Sequence, residues 1–303
     1  MTEVGLTVDF GAARVRIFSD CESLASAILS VYRHFPDEQY SGFVDATVQV
    51  LRVRGLRRFI NPQIEFLSDA NRPFEPFPAD TTLPLLEWGM NYALSDRIFH
   101  CLVLHSGVVA KNDRAVLLPA IPGSGKSTLT AALHLSGYRL LSDEFGVIEP
   151  ESGELIPMVR PVALKNNSVP IISDRFPNAV LGPIFPKTKK GDVSHLSPSL
   201  DSVRARHTAA VPTAVVFPRY VKGARCRMED VDPASAFNRL AVNSFNYEFL
   251  GLQGFRRVTE LVRKCACKQL IFDSLDDAIG AIDDLLESIE SSKDPRDAVT
   301  NAA

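Results

Sequence analysis

Cysteine is scarce in this 303-residue chain: five residues, at positions 21, 101, 226, 265 and 267, odd in number and scattered. That count argues against a disulfide framework and fits a reducing, cytoplasmic setting. Cys265-Ala-Cys267 has no second Cys/His pair at zinc-site spacing and reads as the end of a helix, so no metal is expected there. Positive charge is also short: 33 Lys+Arg stand against 36 Asp+Glu, a net charge of −3. The strong basic field of a dedicated nucleic-acid binder is therefore missing. The short basic runs, Arg52-Val-Arg54 with Arg57-Arg58 and Lys187-Thr-Lys-Lys190, read as solvated loops, and the second could also face a phosphorylated or acidic partner. No apolar run approaches the roughly 20 residues that cross a bilayer. Residues 1–30 lack a basic start followed by an apolar core, so no signal peptide is expected. There are no internal repeats. With 46% apolar and 23% charged residues, the chain reads as an ordinary globular protein, long enough for one large domain or two moderate ones.

The first hundred residues read as an α+β unit. Val4–Phe10 and Ala13–Phe18 alternate apolar and polar residues and suggest a hairpin turned at Gly11. Apolar residues recur at helical spacing from Leu24 to Phe35, alternation returns over Phe43–Val53, and Gln63–Leu67 is a further short strand. The Pro-rich stretch 72–78 reads as an extended linker, and helical spacing resumes over Leu83–Phe99 with the only tryptophan, Trp88. A second unit follows. Leu102–Ala110 and Ala115–Leu118 form a hairpin, a helix is expected over 127–135, and Tyr138–Leu141 is a strand. The stretch 150–212 shows no obvious elements and suggests functional loops. Thr213–Phe217 is a buried strand, 233–263 a broken helical region, Leu270–Phe272 a last strand, and Leu275–Ile289 a closing amphipathic helix. The polar tail 291–303 is expected to be disordered.

Ala120-Ile-Pro-Gly-Ser-Gly-Lys-Ser-Thr128 sits between the apolar run Ala115–Leu118 and a helix. Strand, glycine loop, Lys-Ser and helix form the layout of a phosphate cradle. Backbone N–H groups from Gly123 to Lys126 would face the β-phosphate, aided by the helix dipole. Lys126 would bridge the β- and γ-phosphates, and the Ser127 hydroxyl would hold Mg2+. Ala120 replaces the first glycine of G-x-x-x-x-G-K-[ST], at a position that helps the turn but makes no phosphate contact. The nucleotide-binding residues are thus expected to be Pro122, Gly123, Ser124, Gly125, Lys126, Ser127 and Thr128. No guanine-reading Asn-Lys-x-Asp motif is apparent.

Leu140-Leu-Ser-Asp-Glu144 puts two adjacent carboxylates at the end of the next strand. Ligands of open α/β sheets gather at the carboxyl ends of strands. One of Asp143 and Glu144 can hold the metal while the other takes the proton from an attacking hydroxyl. Lys165 follows an alternating stretch and could bring a second cation to the transferred phosphoryl group, with Arg160 a weaker candidate for that role.

An acidic pair so close behind the loop, with His105-Ser-Gly107 ahead of it, resembles the HPr kinase/phosphorylase family. The likeness is closest to its HPr kinase-related kinase A branch, through Arg160–Asn166, Lys190–Pro198, Ser244-Phe-Asn246 and Leu250-Gly251. It covers roughly 101–275. The first hundred residues show no resemblance to the acceptor-sensing domain of the true HPr kinases, and the late basic loop that docks their acceptor and runs phosphorolysis is not identified. The resemblance implies an α/β P-loop kinase core at 101–290 beside the N-terminal α+β domain at 1–100. It implies ATP and Mg2+ as cofactors, with Lys126 and Ser127 binding phosphates and metal, and Asp143 as base beside Glu144. It also implies a role for His105 near the site, although a histidine on an apolar strand equally reads as core. His195 reads either as lining the acceptor side or as a surface-loop residue. The expected acceptor is a protein serine, or alternatively a small-molecule alcohol. The family also implies a possible homo-oligomer; neither nucleic acid nor membrane is expected as a partner. Two rivals stay open: a nucleotide switch or scaffold, which needs only a metal carboxylate, and an ATP hydrolase.

Overall fold

The computed structural model describes residues 5–36, 40–55, 60–95 and 97–292. It is a mixed α/β structure with three sheets. The first sheet takes β1 (Leu6–Asp9), β2 (Arg14–Ser19), β3 (Ala46–Arg52), β4 (Gln63–Ser68) and β5 (Phe77–Pro78) in chain order. Alternating residues are buried along β2, β3 and β4, which gives the sheet one apolar face. Helices Glu22–Val31 and Thr82–Ser95 belong to this sheet's hydrophobic cluster.

Two expectations for this region change. The first helix stops at Val31 and continues as turn through Phe35. The Pro-rich stretch is not a free linker, since Phe77 is buried and pairs with Ile64 as an edge strand. A proline is tolerated there because an edge strand need not donate outward. Arg57 and Arg58 lie outside the described residues.

The second sheet is built on β6 (Leu102–Lys111) and β7 (Arg114–Pro119), then β8 (Arg139–Ser142), β9 (Phe145–Ile148) and β10 (Leu155–Ile156). Its path is completed by β14 (Val211–Tyr220), β15 (Arg227–Asp230) and β16 (Ala266–Phe272), in the order β10-β9-β6-β7-β14-β16-β15, with β8 also on β6. Only β7–β14 and β14–β16 pair in parallel; the other pairings are antiparallel. The centre of β14 is buried on both faces, as its unbroken apolar run requires. Helices Lys126–Leu135 and Leu275–Ser292 join the hydrophobic cluster on one side, and Pro233–Val242 and Leu252–Lys264 a second cluster.

The stretch 150–212 is more ordered than its composition suggests. It carries the third sheet, β11 (Val162–Lys165), β12 (Phe185–Thr188) and β13 (Gly191–Leu196) in the order β11-β13-β12, and helices Ser168–Arg175 and Leu200–Arg204. Its strands are too short for their periodicity to show between prolines. Cys265 closes helix Leu252–Lys264, but Cys267 lies in β16, and all five cysteines are free. The closing helix runs to Ser292; the rest of the tail lies outside the described residues. Among the described residues, no helix is long and apolar enough to cross a membrane. The first sheet's apolar cluster continues into Val103, Phe145, Met158 and Phe185, so its helices abut the second and third sheets. That contact shapes the site below.

Candidate active site

β7 lies between β6 and β14, and the chain turns from it into the helix Lys126–Leu135. The turn depends on glycine. Gly123 and Gly125 have φ of 85° and 88°, in the left-handed region. At Gly125 a Cβ would also sit 3.1 Å from Tyr220 Cβ and 3.2 Å from Phe272 Cζ. As the N-cap, glycine offers no side-chain acceptor, so the N–H groups of Lys126, Ser127 and Thr128 stay available to an anion. Ser124 Oγ is buried without a hydrogen-bond partner among the described residues. Pro122 and Gly123 are exposed at the loop tip, Ala120 is buried, and the Thr128 hydroxyl pairs with Ser168 at 2.7 Å.

β7 and β8 both run antiparallel to β6 and hence in the same direction. The residues after β8 therefore emerge on the edge where the glycine loop begins. Ser142 Oγ accepts from the backbone N–H of Phe145 (2.9 Å) and Glu144 (3.2 Å), which tightens the turn holding Asp143 and Glu144. The Lys126 ammonium donates to the Asp143 backbone carbonyl and, at 3.1 Å, to Asp143 Oδ1. Both side chains are buried, and Asp143 Oδ2 has no hydrogen-bond partner among the described residues.

The two neighbouring carboxyls are driven in opposite directions. Burial lifts Asp143 above the ordinary carboxylate value; Lys126 and the Ser127 hydroxyl pull against it, and the Glu144 charge adds to it. Glu144 also feels burial, but Lys126, the hydrogen bond and charge of His105, and Lys165 outweigh it and hold its carboxyl well below the ordinary value. His105 Nε2 lies 3.2 Å from Glu144 Oε2, and both side chains are about 30% exposed (30% and 28%). The Ser244-Phe-Asn246 segment steadies the His105 strand. Asn243 O accepts from His105 N at 2.6 Å, Asn246 Oδ1 accepts from Val103 N at 3.0 Å, and Phe245 meets the His105 ring edge-on at 5.9 Å.

Asp143, Glu144 and Lys165 line one cleft with Trp88, Asn91 and Arg160. The structure thus brings Lys126, His105, Lys165 and Arg160 to the acidic pair, while Pro122, Gly123 and Thr128 are placed on the loop and helix start without a contact to it, and His195 is not among the residues lining the cleft. That residue is fully buried on β13 opposite Ala163, with both ring nitrogens unpartnered among the described residues. Burial pushes its pKa down to about 4, so it stays neutral. It is not a surface-loop histidine: it lies behind the cleft, paired with Ala163, a lining residue, and within reach of the charges of Glu87, Arg160, Lys165 and Glu144. Arg160 is engaged elsewhere: its guanidinium donates to Glu87 Oε2 at 2.6 Å and to Asn91 Oδ1 at 2.5 Å.

Glu87, Trp88 and Asn91 were not legible as site residues. The available signal was a glutamate inside an otherwise apolar stretch, Leu83-Pro-Leu-Leu-Glu87-Trp-Gly-Met90, where an amphipathic helix would place no charge. Glu87 is buried between Arg160 and the Tyr32 hydroxyl. Glu87→Gln keeps the shape and removes the charge, leaving Arg160 buried without an ion partner. A loss of about 3 kcal/mol is expected, the low end for breaking a buried pair because Asn91 and the Glu87 carbonyl still accept. Chemical denaturation of the variant measures it.

No protein-family model matches this chain, and no curated protein matches it. Among solved structures, the Hpr(Ser) kinase/phosphatase from Coxiella burnetii is similar at 12% identity, covering 61% of this chain and 98% of that one, with a TM-score of 0.24. That likeness is too slight to bear on the chemistry, which rests on the geometry of the loop and the acidic pair.

Proposed function

We propose that this chain is a phosphotransferase that moves the γ-phosphoryl group of ATP onto a hydroxyl. The observation that carries this reading is the pair of adjacent carboxyls beside Lys126: Asp143 is buried 3.1 Å from its ammonium with Oδ2 unpartnered among the described residues, and Glu144 turns to His105 at 3.2 Å, surroundings that raise the pKa of the first and lower that of the second. Groups pushed apart in this way divide acid–base from electrostatic work. Asp143 is the base: burial raises its pKa above the ordinary carboxylate value, and its Oδ2 has no hydrogen-bond partner among the described residues. Glu144 stays ionised and suits a metal.

The residues present fit nucleotide and magnesium. The uncapped helix start is ready for phosphate, and the hydroxyl and carboxylate of Ser127 and Glu144 are the hard oxygen donors that Mg2+ takes. When bound, the metal would neutralise charge on the β- and γ-oxygens. Lys126 would hold the phosphates, and Lys165 would supply a second positive charge at the transferred group. His105 fixes Glu144 by their hydrogen bond. The acceptor hydroxyl gives its proton to Asp143, its oxygen bonds to the γ-phosphorus, and the bond to the β–γ bridging oxygen breaks to release ADP.

A nucleotide switch needs no base, and a hydrolase would accept water in place of the hydroxyl. Incubation of the protein with γ-labelled ATP, magnesium and a cell lysate separates the three. Label on a protein serine, the acceptor the sequence resemblance implies, or on a small alcohol is the expected result. Free phosphate alone would make the chain a hydrolase, and binding without turnover a switch.

A further inference from the structure

We propose that the cleft between helix Thr82–Ser95 and β11 is the acceptor subsite, and that it selects a hydroxyl compound carrying a carboxylate or phosphate beside the reacting hydroxyl. This rests on the phosphotransfer reading. The cleft has the base on one wall and a set of anion-seeking groups on the other.

Charge counting comes first. Each carboxylate around the cleft already has a partner: Asp143 has Lys126 at 3.1 Å, Glu87 has Arg160 at 2.6 Å, and Glu144 is hydrogen-bonded to the His105 ring at 3.2 Å. Among the described residues, neither Lys165 nor Lys190 has a carboxylate within ion-pair distance. Lys165 lines the cleft at the end of β11. Lys190 sits at the turn between β12 and β13 with its ammonium 4.9 Å from the centre of the Trp88 ring, and Trp88 is itself a lining residue. The two lysines are close enough that Lys165, after burial, is the next cause holding the Lys190 pKa down. The Glu144 charge is felt by both lysines without an ion-pair contact to either among the described residues; two ammoniums at one cleft mouth with no carboxylate in contact are a site for an anion.

Two further groups fit a small polar anion. Asn91 accepts from Arg160 through Oδ1, which fixes its amide and leaves the NH2 as a donor on the other side. The Trp88 face gives a flat apolar wall. Lys126 and Lys165 are the phosphate-side cations, but Lys190 is carried against the helix Thr82–Ser95 and belongs to the acceptor side. The run 187–190 is therefore not merely a solvated loop: Lys189 lies over Phe77 at 4.2 Å as Lys190 lies over Trp88.

Trp88 is the only tryptophan, so its fluorescence reads occupancy of the cleft directly. The full chain, with ADP and magnesium filling the phosphate loop, is titrated with glycerate and glycerol 3-phosphate against glycerol. A parallel titration uses a serine peptide flanked by aspartates against the same peptide flanked by alanines. Saturable change with the anionic member of one pair and none with its neutral member is expected, and the responding pair names the source. Lys190→Met, which keeps the aliphatic stem, should weaken that binding about tenfold and leave ADP affinity unchanged. The proposal is overturned if the neutral members bind as well, if Lys190→Met binds the anion like wild type, or if no anionic probe perturbs Trp88. Anion binding without transfer of label from ATP would sink the phosphotransfer reading and leave the anion site standing.

Discussion

Asp143→Asn is expected to slow phosphoryl transfer by about 10²–10⁴-fold, the usual worth of a positioned general base, with ATP binding retained. Asparagine matches aspartate in shape and keeps an oxygen for the Lys126 ammonium now 3.1 Å from Oδ1. It cannot take a proton. ATP affinity should hold or rise slightly, because Lys126 loses an anion that competes with phosphate. Single-turnover transfer of labelled phosphate and calorimetric ATP binding, made on the same preparation, separate the two effects. The pH profile adds a second readout. A base works only when deprotonated, and burial raises the Asp143 pKa. The acid limb of wild-type transfer should therefore lie above the ordinary aspartate value and vanish in the variant. Transfer at the wild-type rate in Asp143→Asn would remove Asp143 from the base role.

Sequence reasoning singled out the residues of this candidate site but could not divide the labour between its two carboxyls. The loop from Ala120 to Thr128 and the pair Asp143-Glu144 are contiguous in the chain, and their spacing alone puts them on one sheet edge. Which carboxyl carries the proton depends on three-dimensional surroundings: Asp143 faces Lys126 inside the protein, and Glu144 reaches outward to His105 across 39 residues of sequence. The far wall of the cleft was invisible for the same reason. Trp88 and Asn91 lie more than fifty residues before the acidic pair, and nothing in helical periodicity says that one helix of the first unit faces a strand of the third sheet. Arg160 illustrates the limit in reverse. Its chemistry suggested a phosphate cation, while its place is set by Glu87, a residue whose only mark was being charged in an apolar run.

The elements themselves were readable where periodicity was long. β14, the hairpin β6–β7 and the helix after Leu275 stand where their patterns put them, and the helix expected from Leu83 to Phe99 forms but ends at Ser95. The failures share a cause. β5 is two residues long and β11 and β12 are four each, too short to express an alternation against flanking prolines. Those short strands are held by partners distant in sequence, as when β11 pairs Lys165 with Val193. They also place the two lysines assigned to the cleft, since β11 ends in Lys165 and the β12–β13 turn bears Lys190. The least legible part of the chain is therefore the part that furnishes the cleft's cations.

Lys126→Ala should cost about 10²–10³-fold in transfer, the typical loss when one preorganised stabiliser of transition-state charge is removed, and should also weaken ATP binding. It should unfold more easily as well, for a separate reason. The buried Asp143 loses the cation that opposes its desolvation, so its folded-state pKa rises further above the unfolded value. A carboxyl raised by folding favours the unfolded state increasingly as pH climbs above its unfolded pKa, because the unfolded chain then releases the proton more readily. The variant's deficit should accordingly be large near neutrality, up to about 3–5 kcal/mol for a broken buried pair, and shrink in mildly acidic buffer where Asp143 stays protonated. Melting temperatures at the two pH values test this. The double variant Lys126→Ala/Asp143→Asn carries no buried charge at the pair. It should regain much of the lost stability at neutral pH while transfer stays as low as in either single variant, because the base and the phosphate cation act on one step and their losses do not add. A double variant no more stable at neutral pH than Lys126→Ala alone would mean that the pair is not the buried charge couple on which both assignments depend.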